Sequence, residues 1–145
     1  GVEVLGYDEA LKAAMAGRQD RAVVEAFRRE QERIAAGGAA DPYHHANVLG
    51  NLATALLNLA NGESDTKDFF RMYRECEELT LAGLRVVPGL QHLTNTLQTC
   101  RKNLNHRIGT DTAELMHNMG KLMRDLGRFD ESAEFLRRAI RERPG

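Results

Sequence analysis

The stretch YHHANVLGNLATALLNLANG, Tyr43 to Gly62, runs for 20 residues without Asp, Glu, Lys or Arg. At helical spacing His44, Asn47, Asn51, Thr54 and Asn58 fall on one side, and Leu49, Leu52, Ala53, Leu56, Leu59 and Ala60 fall on another. A second segment repeats the arrangement, setting His92, Asn95, Thr96, Thr99 and Asn103 opposite Leu93, Leu97, Cys100 and Leu104. A third adds His117, Asn118, Lys121 and Arg124. Asparagine is a mediocre helix former, so an exposed stripe with no other task favours Lys, Glu or Gln. Each Asn amide offers two donors and an acceptor, which together meet the N–H and C=O of an extended backbone. Lys121 and Arg124 suit a carboxylate. Asn47, Asn51, Thr54, Asn58, His92, Asn95, Thr99, His117, Asn118, Lys121 and Arg124 are therefore candidate peptide-binding residues. The competing reading gives the same amides and hydroxyls to helix ends, neighbouring helices and trapped water.

Other chemistries are less well supplied. His44 and His45 point about 100° apart on a helix, and neither H-x-x-x-H nor a C-x-x-C pair completes a metal ligand set. The sequence has no nucleophile elbow, phosphate loop or dinucleotide fingerprint, so a non-catalytic chain without cofactor is expected. The uncharged stretch is long enough to raise a membrane span, but His44, His45, Asn47, Asn51 and Asn58 are too many polar groups for a helix in lipid. Twenty basic and 21 acidic residues are interspersed, with net charge -1, which gives no broad field for nucleic acid or anionic lipid. The run Arg28-Arg29-Glu30-Gln31-Glu32-Arg33 reads as a solvated helix face with local pairs, and the basic Arg137, Arg138, Arg141 and Arg143 as solvated surface. Cys76 and Cys100 read as inert, buried, free thiols of a reducing compartment, the cytoplasm or an organelle interior.

Positioning these stripes requires helices. Apolar residues recur at three and four, strand signals are nearly absent, and helices are expected at 8–16, 20–36, 43–60, 66–86, 89–106, 112–126 and 130–142. Asp41-Pro42 supplies an N-cap and a first-turn proline, Ser64-Asp65 caps the next helix, and Asp111 with Glu114 caps the sixth. Gly17, Gly37-Gly38, Asn61-Gly62, Gly109 and Gly127 separate the elements. Such short connections make neighbouring helices antiparallel.

NLATALLNLANG from Asn51 and NMGKLMRDLG from Asn118 share a pattern 67 residues apart, close to two periods of about 34. The chain resembles tetratricopeptide repeats. The likeness is best over 113–145, where Met116, Met119, Gly120 and Met123 hold the first-helix positions and Phe129, Ser132, Leu136, Ala139 and Pro144 continue in register. Over 46–88 Leu52, Ala53, Leu56, Cys76, Gly83 and Pro88 fit a longer, irregular pair, while 8–36 offers only Gly17, Ala22 and Ala26 or Phe27. The longer repeats of kinesin light chains, with asparagines on their inner helices, are similar. LAGLRVVPGLQHLTNTLQTCRKN, Leu81 to Asn103, and AGRQDRAVVEAF, Ala16 to Phe27, also resemble the pentatricopeptide repeats that read single-stranded RNA.

The resemblance implies one all-α domain over 1–145, an α-α superhelical solenoid of about seven helices in antiparallel hairpins, with helix 89–106 unpaired. It also implies an adaptor or scaffold that binds a protein segment through a concave groove. The alternatives are a structural subunit of a larger assembly and, less favoured by the charge balance, an RNA binder. In the last helix Phe129, Ala133, Leu136 and Ile140 form an apolar stripe that Phe135 broadens, so a further segment, a second copy or a partner subunit is expected over it.

Overall fold

The computed structural model describes residues 3–110, together with Ala133 and Arg137, both helical. Among the described residues the chain is built of helices without strands: α1 (Tyr7–Met15), α2 (Arg21–Ala35), α3 (Pro42–Asn61), α4 (Thr66–Val86) and α5 (Gln91–Thr110). The helices expected at 112–126 and 130–142, with the Asp111 cap, the Gly127 turn, the methionine positions and the apolar tail stripe, lie outside the described residues.

Local chemistry sets the helix ends. Asp20, Asp41 and Asp65 each occupy an N-cap, where the carboxylate accepts from the backbone N–H three residues on, Val23, His44 and Asp68. At the ends of α1 and α2 the chain turns through Gly17 (φ 90°) and Gly37 (φ 96°). The following amides, Arg18 and Gly38, donate back to Ala13 and Arg33 carbonyls at 2.9 Å, a closure that needs a left-handed residue. Pro88-Gly89 makes the last turn, with Gly89 at φ 82°, so α5 begins at Gln91 rather than at 89. At its other end α5 runs through Gly109 to Thr110, so this glycine does not stop the helix where a break was expected. A single interior glycine costs about 1 kcal/mol, which the rest of a long helix can absorb.

Consecutive helices pack on one another, and α3 also meets α5. Short turns between packed neighbours make the pairs antiparallel. The charge-free helix α3 is the common wall of two cores. Leu52 and Leu56 close one with Ala10 of α1 and Val23, Val24 and Phe27 of α2. Ala53, Leu57 and Ala60 close the other with Phe69, Phe70 and Tyr73 of α4 and Cys100 and Leu104 of α5. A helix walled in on several sides has little solvated surface on which to place Lys or Glu, which accounts for its composition.

The α3–α4–α5 junction turns on Leu93, fully buried at the start of α5. A Cβ at Gly50 of α3 would collide with Leu93 Cδ2, and one at Gly83 of α4 would stand 2.8 Å from Leu93 Cδ1. Two glycines on different helices thus form the seat of one leucine, and the backbones approach to the depth that the missing methyls allow. Gly50→Ala is expected to cost about 1–3 kcal/mol through overpacking, despite alanine's better helix propensity. Urea unfolding checks it: the cost must shrink when Leu93→Ala is also present.

The charged run on α2 departs from the expected solvated face. Arg33 pairs locally with Glu30, but Arg28 reaches across to α4 and grips both oxygens of Glu75 at 3.0 and 2.9 Å. Arg29 donates to the Leu5 carbonyl at 2.7 Å. Sequence spacing shows only partners on the same helix, and these two lie 47 and 24 positions away.

Candidate functional site

The polar stripe of α3 splits into two parts with different surroundings. Toward the helix N-terminus it is bonded to α1 and α2. The Asn51 amide donates to the Tyr7 hydroxyl at 3.1 Å, and Tyr7 packs edge-on against both Phe27 and His44. Partial burial raises the Tyr7 phenol above its ordinary pKa, against the lowering effect of the Asn51 bond. His44 Nε2 stands 2.7 Å from Glu30 Oε2. Arg33 holds the same carboxylate at 2.6 and 3.0 Å and also donates to the Ala39 carbonyl. The Arg33 hydrogen bonds first, and His44 second, hold Glu30 down at about 2 from an ordinary 4.5, in opposition to desolvation.

Toward its C-terminus the stripe opens onto a pocket of about 170 Å3 between α1, α2 and α3. Asn51, Thr54 and Asn58 line one side, Val23 and Phe27 the floor, and Leu11, Ala14 and Met15 the far wall. Arg18 stands at the rim, paired with Glu3 and Asp20. The α1 wall was not legible as part of a site. Its one signal is Met15, a large apolar side chain 82% exposed just before the Gly17 turn.

On α5 the candidate residues lie mostly on the exposed surface. His92, Asn95 and Thr99 are exposed, and Gln91 Nε2 donates to Asn95 Oδ1 at 2.9 Å. Thr54 and Thr96 hydroxyls approach to 3.5 Å while each donates to the carbonyl four residues earlier, Gly50 and His92. The two stripes therefore meet side by side at Thr54 and Thr96, a consequence of the close approach at Leu93. Asn103 is drawn away into a separate network, where its amide and the Tyr73 hydroxyl both donate to Asn61 Oδ1, at 3.3 and 2.8 Å. Burial pushes the Tyr73 phenol up to about 12. Asn47 is half-buried on α3. His117, Asn118, Lys121 and Arg124 lie outside the described residues.

The arrangement sets polar side chains beside apolar ones around the pocket. Among the described residues no three His, Cys, Asp or Glu side chains cluster to hold a metal ion, and no helix is long and apolar enough to cross a membrane. Comparison with known families adds one observation. Residues 112–143 match the tetratricopeptide repeat. That segment follows α5 in the sequence and is the one whose pattern is most regular. Tetratricopeptide repeats generally mediate protein–protein interaction and are generally non-catalytic. No curated protein and no solved structure matches the chain.

Two outcomes check the bonded half of the stripe. Asn51→Ala and Tyr7→Phe should each cost about 1 kcal/mol in chemical denaturation, and the double variant less than the sum, because both remove one hydrogen bond. Glu30 has a depressed folded pKa, so its contribution is present above about 4.5 and is lost as pH falls toward about 2. The stability gap between the parent chain and Glu30→Gln should close across that window in unfolding curves taken at successive pH values.

Proposed function

We propose that this chain is a non-catalytic protein-binding adaptor that holds an extended segment of a partner protein along the adjoining stripes of α3 and α5. The observation that carries the reading is the α1–α3 pocket, which sets Thr54 and Asn58 beside an apolar floor of Val23 and Phe27. An aliphatic side chain of the partner fills the pocket, while Asn58, Asn95 and Thr99 meet its backbone and His92 lines its path. Asn47 and the remaining capacity of Asn51 border the same track, and His117, Asn118, Lys121 and Arg124 extend it into the tetratricopeptide repeat, with the two cations toward an acidic group. The reading places the helices in a superhelical array with the stripes on its inner side.

Asn51 is the wrong residue for the test because its bond to Tyr7 couples it to stability. Thr54 is exposed and lines the pocket, so Thr54→Trp fills the space without entering the core. Combined with Asn58→Ala, it should remove the proteins that co-purify with the parent chain from its native source, with stability changed by no more than about 0.5 kcal/mol. Unchanged capture by the double variant rejects the groove. Capture of single-stranded RNA that falls steeply with salt would instead indicate phosphate contacts.

A further inference from the structure

Two thiols meet in the core where α4 packs on α5. Cys76 and Cys100 are 0% and 1% exposed and belong to one apolar cluster. They lie on facing helices, α4 and α5, which pack on each other. The Cys100 thiol reaches the Tyr73 carbonyl, one turn before Cys76, at 3.6 Å, which fixes it against α4. On the other side Thr80 donates its hydroxyl to the Cys76 carbonyl at 2.7 Å, so the backbone under the sulfur is pinned as well. Two cysteines on packed helices, one with its sulfur held on the turn of α4 that leads to the other, meet the first requirement for a disulfide, that the side chains converge.

We propose that Cys76 and Cys100 form an interhelical disulfide when the chain meets hydrogen peroxide. The inference is independent of the partner-binding reading and changes the expectation that these thiols are inert. The Cys100 side chain lowers the Cys76 thiol from its ordinary value, against burial and with help from Thr80, so we take Cys76 as the attacking sulfur. Its thiolate attacks one peroxide oxygen: the S–O bond forms, the O–O bond breaks, hydroxide leaves and takes up a proton, and the sulfur is oxidised to sulfenic acid. Cys100 then gives up its proton and attacks that sulfur; the S–S bond forms, the S–O bond breaks and water leaves. Two thiols and one peroxide yield one disulfide and two waters. Burial confines the reaction to a small oxidant and makes it slower than oxidation of an exposed cysteine.

The full chain, folded and reduced, is treated with hydrogen peroxide, then denatured in an alkylating reagent and weighed. The expected product is a monomer that has lost two hydrogens and takes up no alkyl group, with the peptides bearing Cys76 and Cys100 linked after proteolysis. Its thermal midpoint should rise by roughly 5–10 °C and return on addition of dithiothreitol. Two alkylated cysteines after treatment, a disulfide between separate chains, or sulfinic acid at either sulfur without a linked peptide would each overturn the proposal.

Discussion

The seat of Leu93 between Gly50 and Gly83 is the contact on which the remaining arrangement depends. Helix packing distance is set by the side chains at the crossing, and here two of the three contributors have none. Because Leu93 drops into that space, α5 lies against α3 as well as α4, and Thr54 and Thr96 come within reach of each other. With a larger residue at Gly50 the stripes of α3 and α5 would be held apart.

A central helix with almost no charge has to satisfy its polar side chains locally, and α3 does so unevenly. Near its start a relay of Asn51 to Tyr7, and of His44 to Glu30 and Arg33, ties it to the two preceding helices. Near its end Asn61 gathers Tyr73 and Asn103 from the two following ones. Between these bonded ends, Thr54 and Asn58 face a space that the protein's own side chains leave unfilled. Internal bonding, one of the two readings of the stripe in the sequence, describes its ends, and the groove is our proposal for the part between them.

Much of this was legible before any coordinates. Caps and turn glycines are local chemistry, so Asp41, Asp65, Gly17 and Gly37 marked helix ends within a residue or two. The apolar face of α5, Leu93, Leu97, Cys100 and Leu104, is buried as its spacing predicts. What escaped depends on pairs far apart in the chain. Nothing near Arg28 indicates Glu75, and nothing near Gly50 indicates Leu93. The pocket escaped for the same reason, since its far wall comes from α1, whose pattern resembles a repeat only weakly. Leu57, which was not assigned to the apolar face of α3, is buried because that helix has a core on each of two sides.

The α1 wall has a further consequence. This helix has nine residues, its N-cap is Gly6 with no side-chain bond, and Ala10 is its one buried residue. A short, uncapped element with so little buried surface opens at a lower free energy than the helices it leans on. The pocket therefore has a stiff side, made by α2 and α3, and a yielding side. An occupant that reaches Leu11 and Met15 would order α1 as it enters, paying in conformational entropy for what it gains in contact. Hydrogen exchange along α1 would then slow in proportion to occupancy while that of α3 stayed constant, which makes the shortest of the described helices its reporter.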